Sequence, residues 1–276
     1  MADQPTITLN NASAIPQLGF GVFQVPDGET TAAVSAAFQA GYRAIDTAAM
    51  YGNERGVGTA IAQSGIPRDE LFITTKLDND GHGTDAALRA FESSRSRLGL
   101  DYVDLYLIHW PLPAQDRYVD TWRAFEKLQR DGVVRTIGVS NFQPAHLQRL
   151  FDETDVVPAI NQVELHPYLT QARLRQFHDE HGIATEAWSP LAKGGRLLAD
   201  PVVSSLAEKY GKTPAQIVIR WHLQLGNVVI PKSVTPSRIK ENIEVFDFEL
   251  AEDDMASISD LNRDDRTGPN PDTFNP

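Results

Sequence analysis

Four polar residues of types suited to proton transfer fall at or near the ends of three apolar segments: Asp46, Tyr51, Lys76 and His109. A lysine buried at such a position needs a counter-charge, and Asp46 can supply one. A phenol with a pKa of about 10 is a poor acid at neutral pH, but a nearby ammonium stabilises the phenolate, so we expect Lys76 to lower the pKa of Tyr51. Tyr51 is then a usable proton donor, and a neutral His109 could hydrogen-bond a substrate oxygen. Each residue alone has a structural explanation, as a loop cap, a strand end or a core histidine.

The segments that carry these residues belong to a regular alternation of strands and helices. Strands are predicted at 19–25, 44–46, 71–77, 102–110, 133–141, 159–165, 183–190 and 227–233. Several are nearly continuous in apolar residues, which is typical of a parallel sheet covered on both faces. Eight such units in this length predict a closed (β/α)8 TIM barrel, an α/β fold with its chemistry at the carboxyl ends of the strands. The alternative is an open doubly wound sheet, but its complete glycine-rich fingerprint is absent.

The two ends of the chain add elements to this barrel. A β-hairpin is predicted around Asn10 and Asn11, because apolar alternation flanks a pair of turn residues. Helical spacing predicts an extra helix at 251–261. The tail, 263–276, is either a loose end or a cover over the barrel mouth that brings Phe274 to the substrate. No linker divides the chain, so we expect a single domain over residues 1–276.

Basic and hydroxyl residues cluster after the eighth predicted strand, at Lys232, Ser233, Thr235 and Arg238. They begin a helix, whose free N–H groups and dipole favour an anion. The cluster is notable because the formal net charge is −12. That charge repels nucleic acid and anionic membranes at long range, so we expect neither as a partner and look for phosphate binding only locally.

Composition limits the class of protein further. Hydrophobic residues make up 41% and charged residues 22%, as in globular proteins, and no run of roughly 18 apolar residues could cross a bilayer. The chain has no cysteine, which excludes disulfides and thiolate ligands. Residues 1–5 lack the pattern of a signal peptide, so a cytoplasmic location is expected. His178 and His181 could share a helix face, but they precede Gly182 away from the catalytic rim, so we interpret them as a solvated face and expect no metal.

Longer motifs resemble the aldo-keto reductase family, and in particular its short bacterial 2,5-diketo-D-gluconate reductase type. The matching segments run from the hairpin to the tail and include 41–48, 51–54, 71–77, 103–111, 137–142, 161–164 and 230–236. Taken together and in this order, these motifs are highly specific.

The resemblance implies reversible reduction of an aldehyde or ketone by NADPH, with a keto-sugar acid such as 2,5-diketo-D-gluconate among the possible substrates. Tyr51 would be the general acid, Lys76 and Asp46 would tune it, and His109 would orient the carbonyl. The implied cofactor contacts are Ser140, Asn141 and Gln162 at the carboxamide, Trp188 on the nicotinamide ring, Ser189 and Leu191 near the pyrophosphate, Lys232, Ser233 and Arg238 at the 2′-phosphate, and Glu241 and Asn242 at the adenine. Val234 and Thr235 are further implied contacts of the cofactor. Arg238 suits a bidentate phosphate contact, which favours NADP over NAD.

The implied substrate contacts are Phe23, Ala49, His109, Trp110 and Phe274. Asp78 stands where many relatives have tryptophan, so we expect a more open and polar pocket. A monomer is expected. Two other functions stay open: a metal-dependent barrel hydrolase, and a non-catalytic NADPH-binding sensor or accessory subunit on the same barrel.

Overall fold

Eight parallel strands form the centre of the structure, a computed structural model that describes residues 4–276. Residues 1–3, which hold most of the segment searched for a signal peptide, lie outside the described residues. In chain order the strands are the hairpin pair β1 (Thr6–Thr8) and β2 (Ala14–Pro16), followed by β3 (Phe20–Gly21), β4 (Ala44–Asp46), β5 (Phe72–Leu77), β6 (Val103–Ile108), β7 (Val134–Ser140), β8 (Ile160–Glu164), β9 (Ala184–Trp188) and β10 (Val228–Val229). Each strand from β3 to β10 pairs in parallel with the next one along the chain.

Backbone hydrogen bonds between the residues just before β3 and strand β10 close the barrel. Gly19 N donates to Val229 O at 2.8 Å, and Val229 N donates to Gln17 O at 2.9 Å. A Cβ on Gly21 would lie 3.0 Å from Ile230 O, so glycine permits the close approach of the two chains. The predicted closed barrel is therefore confirmed. Strands β3 and β10 are shorter than predicted, because regular strand pairing covers only two residues of each where the barrel closes.

Helices surround the barrel and cover its outer face. They are α1 (Asp27–Ala40), α2 (Glu54–Ser64), α3 (Thr84–Leu98), α4 (Tyr118–Arg130), α5 (Pro144–Glu153), α6 (Ala172–Glu180), α7 (Gly195–Leu198), α8 (Pro201–Tyr210), α9 (Pro214–Gln224), α10 (Pro236–Ile243) and α11 (Glu252–Ser259). Helix α9 begins with a reciprocal capping box, in which Thr213 Oγ1 accepts from Gln216 N and the Gln216 side chain accepts from Thr213 N. Within residues 4–276, no helix is both long and apolar enough to cross a membrane.

The core has two layers, one on each side of the strands. On β6, Tyr106 points outward and stacks on Phe125 of α4, with 4.4 Å between ring centroids. The neighbouring Leu105 and Leu107 belong to a separate buried cluster inside the barrel. The hairpin side chains Leu9 and Ile15 join that inner cluster. The hairpin therefore packs against the amino-terminal end of the barrel, and the opposite end is left for function.

The carboxy-terminal tail lies against the carboxyl ends of the strands, which decides between the two alternatives for it. The backbone amides of Thr267 and Gly268 donate to the carboxylate of Glu164, at the end of β8. Further along, Phe274 packs on Trp110, with 4.4 Å between ring centroids. The tail is thus a cover over the barrel mouth rather than a loose end.

The pair His178 and His181 differs from the sequence-based expectation. His181 is exposed, but His178 is buried, so the prediction of a solvated face was wrong for His178. Its ring nitrogens contact Asn161 Nδ2 at 2.9 Å and Thr185 Oγ1 at 2.8 Å. His178 therefore connects α6 to the barrel, and burial and the nearby Arg175 lower its pKa to about 3.

Candidate active site

A cavity of about 990 Å³ opens at the carboxyl ends of the strands. This volume lies at the upper end of the range for small-molecule and cofactor sites. The wall of this cavity contains most of the site residues predicted from the sequence. They are Phe23, Asp46, Tyr51, His109, Trp110, Asn141, Gln162, Trp188, Ser189, Leu191, Lys232, Ser233, Val234, Thr235, Arg238, Glu241, Asn242 and Phe274. Strand ends far apart in sequence therefore meet around one opening.

A buried ammonium joins a carboxylate to a phenol at this opening. Lys76, fully buried on β5, places Nζ 2.5 Å from Asp46 Oδ1 and 3.0 Å from the carbonyl oxygen of Thr47. The same Nζ lies 3.4 Å from the hydroxyl of Tyr51, which follows β4 in a short 3-10 turn. Strand β4 pairs directly with β5, which brings the two charges together. Lys76 lies behind Tyr51 and is not itself part of the cavity wall.

The net shift of the Tyr51 pKa is upward, opposite to the expected lowering. Burial is the largest cause and raises the pKa; Lys76 lowers it, and Asp46 raises it again. The prediction identified the correct ammonium but underestimated the cost of placing a phenolate in a poorly solvated position. Tyr51 is consequently protonated at neutral pH, as a proton donor must be. Lys76 offsets part of the cost of the phenolate that remains after the proton has left.

His109 lies beside Tyr51 as a neutral imidazole. Burial and the charge of Lys76 hold the pKa of His109 well below its usual value. The two rings meet edge to face, with 5.7 Å between centroids. Within residues 4–276, His109 Nδ1 has no hydrogen-bond partner. A neutral ring at this place can hydrogen-bond a carbonyl oxygen without competing as a cation for its developing charge.

An amide-rich group lines the wall beyond the ends of β7, β8 and β9. Asn141 has a left-handed backbone conformation, with φ 64°. Its side-chain Nδ2 donates a hydrogen bond to the carbonyl oxygen of His109, and its Oδ1 accepts one from Trp188 Nε1 at 2.8 Å. Gln162 lines the cavity, and its Nε2 donates to Asp46 Oδ2 at 2.8 Å. Ser140 is different: it is buried behind the wall, where its Oγ donates to the carbonyl oxygen of Gln162. Asn141, Gln162 and Trp188 thus present an amide pair and an indole to a flat polar ring.

The loop after β9 has an unusual backbone. Ser189, Ala192 and Lys193 all have positive φ, at 47°, 47° and 60°, a conformation that non-glycine residues rarely adopt. Lys193 lines the cavity and donates from Nζ to the carbonyl oxygen of Thr267 at 3.0 Å. This loop and the tail therefore meet at the opening, and Leu191 of the loop also lines the cavity.

Two cationic side chains lie near the start of α10. Lys232 and Arg238 are exposed, line the cavity, and form no ion pair within residues 4–276. Helix α10 begins with Pro236, and the preceding turn is held by Thr235 N, which donates to Ser233 Oγ at 3.1 Å. In a chain of net charge −12, a pair of unneutralised cations at a helix start is suited to a phosphate.

Aromatic and aliphatic side chains form the wall near Tyr51. Phe23 packs on Tyr51 with 5.0 Å between centroids, and its exposed fraction is 49%. Ala49 does not line the cavity; the next residue in the 3-10 turn, Met50, lines it instead. Asp78 is also off the wall, because its carboxylate turns back to accept from Asn79 N at 2.7 Å. Neither an aromatic side chain nor a carboxylate of residue 78 therefore shapes the pocket.

Sequence reasoning missed several residues around this opening. Glu186 lies inside the barrel on β9, two residues before Trp188 and so on the same face of that strand. Glu186 could have been recognised from the sequence, because it is a charged residue within the predicted strand 183–190. Gly268, which lies against Trp188, had no comparable signal, because the contact joins the tail to β9. Met50 and Lys193 were missed because their directions depend on irregular turns.

Comparisons with known proteins agree with this geometry. The model of the Aldo/keto reductase family matches residues 17–263. The chain belongs to this family and is an oxidoreductase of it.

Among individual relatives, it is 59% identical over 271 residues to an aldo-keto reductase of Mycolicibacterium smegmatis, with 98% of each chain covered. It is 53% identical over 275 residues to the methylglyoxal reductase DkgA of Escherichia coli, with 99% of each chain covered. A crystal structure of a Gox0644 mutant in complex with NADPH superimposes with a TM-score of 0.95, at 49% identity and with 99% of each chain covered.

Proposed function

We propose that this protein reduces small aldehydes and ketones to alcohols with NADPH, and that Tyr51 is the general acid. The observation that carries the proposal is the chain of contacts from Asp46 through Lys76 to Tyr51 at the mouth of a cofactor-sized cavity. Membership of the aldo/keto reductase family supports carbonyl reduction in general. The NADPH bound to the Gox0644 mutant and the methylglyoxal reductase activity named for the DkgA relative support the cofactor and the type of substrate.

The residues along the cavity fit NADPH. Lys232 and Arg238 offer unpaired positive charge for a 2′-phosphate. Both hydrogens of the Asn141 and Gln162 amides are used within the protein, so these residues offer their side-chain oxygens to the NH2 group of a carboxamide. Trp188, half-buried on the wall, offers a flat face for the ring. When bound there, NADPH supplies a hydride to the carbonyl carbon.

The protein side of the reaction is a proton transfer. Tyr51 donates its hydroxyl proton to the carbonyl oxygen of the substrate, and this oxygen becomes the hydroxyl group of the alcohol product. Lys76 stabilises the phenolate left behind, and Asp46 holds Lys76 in place at 2.5 Å. His109 stays neutral and orients the carbonyl oxygen by a hydrogen bond.

The substrate end of the cavity favours a compact carbonyl compound. Phe23, Met50, Trp110 and Phe274 give it an aromatic and aliphatic wall. This lining favours reactive aldehydes such as methylglyoxal, and reduction of a keto-sugar acid stays a prediction. A monomeric state, a cytoplasmic location and the absence of a nucleic-acid partner also stay predictions.

The proposal is tested by following NADPH consumption with a panel of carbonyl compounds that contains both methylglyoxal and 2,5-diketo-D-gluconate. Tyr51→Phe should lower kcat by about 100-fold to 10,000-fold, the usual contribution of a positioned acid, while NADPH affinity is retained. Tyr102→Phe is the matched control, since Tyr102 lies between Arg68 and Arg135, away from the cavity. Full activity of Tyr51→Phe would refute the assigned acid. NADPH binding without turnover of any carbonyl would favour the sensor, and inactivation by a chelator would favour the hydrolase.

A further inference from the structure

Glu186 is a buried carboxyl group to which the proton transfer described above gives no role. It lies on β9 with 1% of its surface exposed, and it is level with Gln162 of β8 and Val228 of β10 in the strand registers. Its Oε2 accepts a hydrogen bond from Gln162 Nε2 at 2.9 Å. Within residues 4–276, no lysine, arginine or histidine forms an ion pair with it. A carboxyl group inside a barrel, without a cation of its own, needs an explanation.

The explanation lies in the amide group that Glu186 contacts. Gln162 Nε2 donates to Asp46 Oδ2 at 2.8 Å and to Glu186 Oε2 at 2.9 Å. An amide NH2 group has two hydrogens, so both are used. Rotating the amide by half a turn would place Gln162 Oε1 against Asp46 Oδ2, an oxygen of the carboxylate that pairs with Lys76 and has no hydrogen to donate. Asp46 therefore fixes which way the amide faces, and Glu186 accepts its second hydrogen. This leaves Oε1 as the atom that Gln162 can offer to a ligand in the cavity.

We propose that Glu186 is a positioning residue for hydride transfer: it holds the Gln162 amide so that Oε1 accepts a hydrogen bond from the carboxamide NH2 of the nicotinamide. This inference rests on the proposed NADPH-dependent function. Asp46 alone could satisfy only one hydrogen of the Gln162 amide, and the second would be left without a partner in the barrel interior. Glu186 supplies that partner and thereby links the orientation of the ring to the Asp46–Lys76 pair.

The electrostatic surroundings allow Glu186 to do this without adding a second negative charge. Burial, followed by the charge of Asp46, raises the pKa of Glu186 to about 8, against the lowering effects of the Gln162 hydrogen bond and Lys76. Glu186 is therefore mostly neutral at pH 7, and Asp46 remains the counter-ion of Lys76. The groups that act on Glu186 come from the adjacent strand β8 and from β4 and β5 across the inside of the barrel.

The test compares two substitutions that differ in one hydrogen-bond acceptor. Glu186→Gln keeps a side-chain oxygen that can accept from Gln162 Nε2, whereas Glu186→Met of similar length does not. Glu186→Met should weaken NADPH binding and lower kcat, each by about tenfold, the size expected when one buried hydrogen bond is lost. Glu186→Gln should restore both. Binding of 2′,5′-ADP, which reaches only the Lys232 and Arg238 end, should be the same in all three proteins.

Two further variants separate positioning from simple loss of stability. Glu126→Gln removes another buried carboxylate, one that accepts from Asp155 N and Val156 N away from the cavity, and should leave NADPH affinity unchanged. In a Gln162→Met background, Glu186→Met should have no additional effect on NADPH binding, because Glu186 acts through Gln162. Thermal melting of each variant establishes that it is folded.

The inference is overturned if Glu186→Met binds NADPH and turns over like the wild type, if Glu186→Gln is as impaired as Glu186→Met, or if 2′,5′-ADP binding falls in parallel. The proposed function fails in a different way. If the wild type binds NADPH but reduces no carbonyl compound, the assigned reaction is wrong, and the comparison of NADPH with 2′,5′-ADP still decides the role of Glu186. If the wild type does not bind NADPH, both proposals are wrong.

Discussion

Lys76 and Asp46 form a buried ion pair, with 2.5 Å between Nζ and Oδ1 and no exposed surface on the lysine side chain. Burial makes each partner dependent on the other, because a single charge left in a poorly solvated site is costly. The pair also has a chemical role in the proposed reaction, since Lys76 reaches the hydroxyl of Tyr51 at 3.4 Å. Stability and catalysis are therefore joined at the same two residues, and substitutions can separate them.

Asp46→Asn should be both less stable and less active than the wild type. Removing one partner of a buried ion pair costs about 3–5 kcal/mol of unfolding free energy, measurable by urea denaturation. Turnover should fall as well, because Lys76 loses the group that fixes it beside Tyr51. The double variant Asp46→Asn, Lys76→Met removes both charges and should recover most of the stability but none of the activity. Recovery of activity in the double variant would contradict the assigned role of Lys76.

Arg238→Ala should discriminate between the two forms of the cofactor. Arg238 is an unpaired cation on the cavity wall, and loss of a charge-assisted phosphate contact should weaken NADPH binding by about 10- to 100-fold. The affinity for NADH, which lacks the 2′-phosphate, should stay the same. Lys240→Ala is the matched control on the same helix, since Lys240 is exposed, lies 3.8 Å from Glu244 and does not line the cavity. If Arg238→Ala lost affinity equally for NADPH and NADH, Arg238 would not contact the 2′-phosphate.

The placement of the main polar groups could be predicted from sequence because a barrel collects its strand ends at one rim. Asp46, Lys76 and His109 follow or end separate strands, and the parallel pairing of β4 with β5 and β5 with β6 brings them together. Short strands were less predictable, since β3 and β10 depend on the closure of the ring rather than on a local pattern.

Quantities set by the surroundings could not be predicted in this way. The direction of the Tyr51 pKa depends on how completely neighbouring chains exclude water, which no spacing reveals. The same reason explains His178, which spacing placed on a helix face without showing that β8 and β9 cover it. Contacts between Glu164 and the tail join residues 103 positions apart, and only the folded chain shows them.

Gly268→Ala should disturb the tail and the indole beneath it. A Cβ on Gly268 would lie 2.5 Å from Trp188 Cη2 and 3.2 Å from Glu164 Oε2, which is too close for the indole to remain in place. We expect a loss of about 1–3 kcal/mol in unfolding free energy from overpacking, together with weaker NADPH binding because Trp188 moves. Gly28→Ala is the control, since a Cβ there meets no atom within 4 Å. Unaltered NADPH binding in Gly268→Ala would mean that the tail does not hold Trp188.

Buried neutral histidines should make the protein sensitive to acid. Burial lowers the pKa of His82 to about 4 and those of His178 and His222 to about 3, whereas all three titrate at about 6.5 in an unfolded chain. Above that value both states are neutral and the stability is fully present. As the pH falls from about 6.5 toward 4, the unfolded chain takes up protons that the folded protein does not, so stability is lost. Each such histidine contributes at most about 1.4 kcal/mol per pH unit.

His178→Gln tests this dependence at one site, because glutamine can still contact Asn161 and Thr185 but cannot titrate. Unfolding free energies of the wild type and the variant should be compared in urea at pH 7, 6 and 5. As the pH falls, the unfolding free energy of the wild type should decrease more than that of the variant. The reason is that His178 takes up a proton in the unfolded wild type but not in the folded protein, whereas glutamine takes up none. His181→Gln, a change at the exposed histidine three residues later, removes only a smaller cause of the lowered His178 pKa. It should therefore change the pH dependence much less than His178→Gln does. If wild type and His178→Gln lose stability in parallel between pH 7 and pH 5, burial of His178 is not a source of acid sensitivity.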